Sequence, residues 1–151
     1  MKLDDDLIWR LRAFIYAQFA QTALPPSIEQ TAQTFDINPE QAASLYRELN
    51  DRHAIFLEPG TLDVRMAFPF SGIPTDFRVV VNGKKYWANC AWDMLGIPAA
   101  LHSSAAAIDA KCAESGEPLR LELRDGAVLH SGVRIHFAVP FARWYEDLPH
   151  T

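Results

Sequence analysis

The sequence predicts an α+β fold: an N-terminal three-helix winged-helix-like lobe over residues 1–70, then a mixed, mostly antiparallel β-sheet core with short helices over residues 71–151. Three observations carry that prediction. Apolar residues recur at helical spacing through the first third, two proline-containing clusters divide that third into three helices, and strand-like runs around Asn82-Gly83 dominate the remainder of the chain.

The first helix is expected from Asp4 to about Gln21, where Leu7, Ile8, Leu11, Phe14, Ile15, Tyr16 and Phe19 form one buried stripe and the acids at 4–6 suit the positive N-terminal end. Pro25-Pro26 forces an extended break. Ser27 then caps a second helix ending near Phe35, with Gln30 completing a capping box. Turn residues Asp36-Ile37-Asn38 lead to Pro39 at the first position of a third helix, whose inner face is Ala42, Leu45, Tyr46 and Leu49. Ala54–Leu57 and Val64–Phe68 flank Glu58-Pro59-Gly60-Thr61 as a hairpin, which supplies the wing.

Beyond Phe70 the period changes to two. Phe77–Val81 and Lys84–Ala88 enclose Asn82-Gly83, the pair that best supplies the positive φ angles of a type I′ hairpin. A short helix is expected from Cys90 to Leu95, stopped by Gly96, and a second from Pro98 through Leu101. Ala105–Lys111, Leu119–Leu123 and Val133–Val139 complete the strands, punctuated by Glu114-Ser115-Gly116-Glu117 and Asp125-Gly126.

Composition excludes several classes of function. A chain of 151 residues buries roughly 70% of its unfolded surface, enough for one compact unit. No run approaches the ~20 apolar residues of a membrane span, and Met-Lys-Leu-Asp-Asp-Asp lacks the basic start of a secretory signal, so the expected location is the cytoplasm. Two cysteines, Cys90 and Cys112, are too few for a disulfide scaffold and are not spaced as a zinc site, and the five histidines show no ligand spacing. No glycine-rich phosphate loop occurs. Through residue 60 there are five basic and nine acidic residues, a net of −4, and the third helix carries Glu40, Glu48 and Asp51 against Arg47 and Arg52. A DNA-reading helix needs the opposite balance, so no nucleic-acid partner is expected and the helical lobe reads as a packing or interaction surface.

The chemistry concentrates in Tyr86-Trp87-Ala88-Asn89-Cys90-Ala91-Trp92-Asp93. At a helix start the Cys90 sulfur would face unpaired backbone N–H groups, which favour thiolate, and Asp93 three residues on would share its face. A soft nucleophile and a proton carrier then converge. The same residues also suit a buried cysteine with a favourable N-terminal acid, and Trp87 and Trp92 suit core or rim positions. Cys112 has no acid or base at helical spacing and reads as structural.

The run Tyr86–Pro98, with Cys90-Ala91-Trp92-Asp93 inside it, resembles the core motif of the alkylmercury lyases, the organomercurial lyases of bacterial mercury resistance. The resemblance continues to Lys111-Cys112-Ala113-Glu114-Ser115-Gly116-Glu117-Pro118, and a winged-helix-like lobe ahead of the core is also family-like. It implies protonolysis of a carbon–mercury bond to a hydrocarbon and Hg(II). Cys90 matches the cysteine that takes the organomercurial and so binds mercury as substrate and product, and Asp93 matches the proton donor. No cofactor is implied.

The family pattern also includes a second catalytic cysteine. In longer relatives a run resembling His136–Pro140 and Trp144–Asp147 leads on to it, and a different register sets it near Gly132; neither place holds a cysteine here, and Cys112 matches a position that looks structural in the family. Without that second thiol, turnover needs an exogenous thiol, a further C-terminal segment, or acceptance of Cys112 through a conformational change. The alternative is a non-catalytic thiol module, either a mercury-binding protein or a winged-helix transcriptional regulator.

Overall fold

A computed structural model describes residues 5–129 and 132–146; Asp4, His130, Asp147 and His150 lie outside the described residues. The fold is α+β, with four α-helices and one eight-stranded sheet among the described residues.

Helix α1 (Asp5–Thr22) buries Ile8, Leu11, Ile15 and Phe19, the stripe its spacing predicts. Both later helical starts are fixed by local chemistry. Ser27 and Gln30 form a reciprocal capping box on α2 (Ile28–Phe35), and Asn38 and Gln41 form another on α3 (Pro39–Asp51), with Pro39 in its first turn. Asp36 ends α2 with φ of 53°, the left-handed turn that swings the chain into α3. The helices are joined by a buried hydroxyl pair, Thr31 Oγ1 and Tyr46 Oη at 2.9 Å, with Tyr46 also donating to the Pro26 carbonyl.

Strands β1 (Phe56–Leu57), β2 (Val64–Ala67), β3 (Phe70–Ser71), β4 (Phe77–Val81), β5 (Lys84–Ala88), β6 (Ala106–Lys111), β7 (Pro118–Arg124) and β8 (Ala127–Leu129) are ordered β1-β2-β3-β5-β4-β6-β7-β8. Every pairing is antiparallel. Asn82 (φ 50°) and Gly83 (φ 77°) make the β4–β5 turn as their sequence requires. Asp125 and Gly126 do the same for β7–β8, a hairpin that the sequence showed only as punctuation.

Residue 70 lies inside β3, which joins the β1–β2 hairpin to the rest of the sheet through Met66↔Ser71 on one side and Phe70↔Ala88 on the other. A single hydrophobic cluster runs from Ile8 and Leu45 through Phe70, Val79 and Ile97 to Leu121. Two basic residues here are engaged within the chain: Arg52 at the end of α3 pairs with Asp5 and Glu48 at 2.8 Å each, and Arg65 of β2 with Glu58 at 3.1 Å.

Two expectations are corrected. The helices predicted from Cys90 to Leu95 and from Pro98 to Leu101 are one helix, α4 (Asp93–Ala100), which contains Gly96 and Pro98. Gly96 serves packing rather than termination, because a Cβ there would stand 3.0 Å from the Cβ of Pro69. Pro98 forfeits only its own N–H bond, and the helix continues until Leu101 caps it. The segment 133–139 is not a strand; after Gly132 the chain runs irregularly into a 3₁₀ turn, Phe141–Glu146. Its aromatic residues fold back on other side chains instead, Phe137 onto Trp92 and Trp144 onto Phe137.

Candidate active site

Strand β5 delivers Asn89 and Cys90 just past its end, and a tight turn through Ala91 and Trp92 returns the chain into α4 at Asp93. The Cys90 carbonyl accepts from Met94 N at 3.1 Å, so the turn is helical in its bonding before α4 begins. The Cys90 thiol faces the backbone N–H groups of Trp92 and Asp93 and meets the Asp93 carboxyl.

Those N–H groups lower the thiol's proton affinity, as the sequence suggested, but they do not decide the balance. Burial of the sulfur and then the Asp93 charge raise the Cys90 pKa above that of an ordinary thiol. The resting cysteine is therefore a thiol rather than the expected thiolate, because a carboxylate and a half-buried sulfur compete with the helix end. Asp93 is 7% exposed, and burial raises its pKa from 3.8 to about 6 against the opposing hydrogen bonds of Asn89 and Cys90.

Three neighbours of Asp93 were not singled out by sequence. Asn89 Nδ2 donates to Asp93 Oδ2 at 3.0 Å and to the Phe70 carbonyl at 3.1 Å, tying β3, the end of β5 and α4 together. Its spacing of four residues from Asp93 is the signal that could have found it. Phe70 contributes a backbone oxygen, which no residue-type signal reveals. Tyr16 of α1 lies within electrostatic reach of the carboxyl, with Arg12 stacked over its ring at 4.4 Å and donating to its hydroxyl at 3.2 Å.

Trp92 is 56% exposed and borders an apolar cleft of about 760 Å³ lined also by Phe137, Val139, Pro140, Phe141 and Trp144. Aromatic rings form its wall: Trp92 and Phe137 meet at a tilt with centroids 6.1 Å apart, and Phe137 stacks on Trp144 at 5.3 Å. Trp87 instead sits in β5, half-buried, opposite Arg78.

Cys112 follows β6 at the same end of the sheet as Cys90. The alignments Trp87↔Arg78 and Arg78↔Asp109 set the strands that lead to the two cysteines two positions apart in the sheet, about 10 Å by strand spacing. Two sulfurs on one metal ion stand only about 5 Å apart. Cys112 is not without partners, however: the Ser115 hydroxyl and the N–H groups of Glu114 and Ser115 hold its pKa below the ordinary value. Among the described residues no three His, Cys, Asp or Glu side chains group as a metal site, and no helix is long and apolar enough to cross a membrane.

The family model for alkylmercury lyase matches residues 70–147, more than half of the chain. Among solved structures, the mercury-bound form of MerB2 is 23% identical with a TM-score of 0.65, the likeness covering 87% of this chain and 62% of that one. The chain thus spans less than two thirds of that protein, and at this identity the likeness is one of fold. No curated protein sequence matches.

Proposed function

The chain belongs to the alkylmercury lyase family, and from that premise we propose that it cleaves carbon–mercury bonds by protonolysis, with Cys90 as nucleophile and mercury ligand and Asp93 as proton carrier. The observation that carries the reading is the pairing of the Cys90 thiol with a buried carboxyl titrating near 6.

At neutral pH the pair holds one proton, on sulfur. As Sγ of Cys90 bonds to the mercury of an organomercurial R–Hg–X, X⁻ departs and the thiol proton passes to Asp93. Asp93 then gives that proton to carbon. The Hg–C bond breaks with its electron pair on carbon, a C–H bond forms, the hydrocarbon leaves and Asp93 is again a carboxylate. Mercury stays Hg(II) throughout, held by the Cys90 sulfur and an exogenous thiolate. A carbanion is a poor leaving group unless protonated as the bond breaks, so sulfur donation and acid catalysis act together.

An exogenous thiol is part of this reading because the strands that lead to Cys90 and Cys112 stand two apart in the sheet, which disfavours one ion shared between their sulfurs. The cleft beside Trp92 gives the organic group an apolar place to lie. The helical lobe is read as winged-helix-like in form and as the support that brings α1 to Asp93, in a protein of the cytoplasm. The same single thiol also favours a second reading, a mercury-binding protein that captures without cleaving.

The test is incubation with phenylmercury and excess small thiol, following benzene by gas chromatography for wild type, Cys90→Ser and Asp93→Ala. Catalytic benzene from wild type alone is the expected result. A stable phenylmercury adduct on Cys90 with no benzene would overturn the lyase reading in favour of the second.

A further inference from the structure

Asn89 has an unusual arrangement for a side chain beside an acid. Both hydrogens of its amide are committed, one to the Phe70 carbonyl at 3.1 Å and one to Asp93 Oδ2 at 3.0 Å. Its own oxygen, Oδ1, is buried and has no hydrogen-bond partner. Flipping the amide would set Oδ1 against the Phe70 carbonyl, which cannot donate, so the orientation is fixed by the backbone. The site accepts an orphaned oxygen to keep two donors where they are.

This arrangement makes the two oxygens of Asp93 unequal. An oxygen that accepts from a fixed N–H is the carbonyl oxygen of a carboxylic acid; the proton belongs on the other one. We propose that Asn89 is the positioning residue that assigns the transferable proton of Asp93 to Oδ1 and holds that oxygen toward the substrate on Cys90. The proposal rests on the lyase reading for its catalytic meaning, though not for its geometry. In each cycle Oδ1 takes the thiol proton and returns it to carbon, while Oδ2 never leaves the Asn89 amide. The titratable groups facing this carboxyl are Cys90 from the turn and Tyr16 from α1, with the Arg12 cation behind Tyr16.

The experiment compares wild type with Asn89→Leu, which is close in size and removes the donor, and Asn89→Ala, which removes it with the rest of the amide, in two readouts. First, infrared difference spectra against Asp93→Asn follow the Asp93 carboxylic carbonyl as pH falls, with no substrate present. Removing the donor is expected to shift that carbonyl band to higher frequency, because the carbonyl oxygen loses its hydrogen bond. Second, phenylmercury turnover is expected to lose about 10²-fold in kcat with KM unchanged, since capture by sulfur is untouched while the acid is misaimed. A carbonyl band that stays in place in a variant that circular dichroism shows to be folded would overturn the proposal, as would a folded variant whose loss lies in KM with kcat unchanged. If the band moves but no form of the protein makes benzene, the proton assignment stands and the lyase reading falls.

Discussion

Replacing Asp93 by Asn should make the protein more stable, and by an amount that depends on pH. Burial raises the Asp93 pKa from 3.8 to about 6, and the residue is 7% exposed, so screening by solvent discounts little of the effect. At 1.36 kcal/mol per tenfold change in proton affinity, the charged carboxylate costs the fold about 3 kcal/mol once it is fully ionised. The folded state binds this proton more tightly than the unfolded chain does. Stability from this group is therefore fully present below 3.8 and is lost as pH rises through 6. An asparagine at this position would keep an oxygen for Asn89 to donate to, at the same volume and without the charge. Urea unfolding at pH 7.5 should then show a gain of about 3 kcal/mol, or about 1.5 M in midpoint for a slope of ~2 kcal/mol/M. At pH 4 the gain should shrink below ~1 kcal/mol. An equal gain at both pH values, or none at pH 7.5, would refute the claim that the folded protein holds this carboxyl in a medium hostile to its charge.

Two other outcomes come from the geometry. At pH 7.5 iodoacetamide should label Cys112 at least about fivefold faster than Cys90, read by peptide mass spectrometry, because Ser115 and its neighbours favour the Cys112 thiolate while burial and Asp93 disfavour that of Cys90. Ser115→Ala should narrow the gap by slowing Cys112 alone; a faster Cys90 would contradict the assignment. Gly72→Ala should cost about 3 kcal/mol or more, since a Cβ there would fall 1.9 Å from the Val64 carbonyl oxygen. A melting temperature lower by roughly 10 °C is expected, and an unchanged one would mean that β2 yields more readily than its bond from Gly72 N to Arg65 O suggests.

What could be read from the sequence was what is decided locally. The Ser27–Gln30 capping box, Pro39 at a helix start and Asn82-Gly83 at a hairpin each fix their own backbone over a few residues, and each is where the sequence placed it. Strand β3 has only two residues and exists because β2 and β5 lie on either side of it, which no window around Phe70 reveals. Gly96 and Pro98 looked like stops because their local meaning is punctuation; the structure uses the glycine for contact with Pro69, a residue well outside any local window. Val133–Val139 has strand composition but not a strand's pairing. At the candidate site, the nearness of Cys90 to Asp93 was legible from their spacing, whereas the sign of the thiol's shift was not. That sign depends on how deeply the turn sinks, and hence on Phe70 and α1.

The match to the family begins at residue 70, yet the ring at that position lies stacked on Phe19 of α1 at 5.3 Å. Tyr86 donates to the Ala20 carbonyl at 2.8 Å and Lys84 to that of Gln21 at 2.6 Å, so the middle of the sheet is fastened to the last turns of the first helix. A unit of inheritance and a unit of cooperative folding are thus cut differently in this molecule. Transplanting residues 70–147 into another host would carry the thiol and the carboxyl but leave Phe70, Tyr86 and Ala88 without the helix that covers them. Any recombination that preserves the chemistry must carry α1 with it, as an internal scaffold supplied from the far end of the chain.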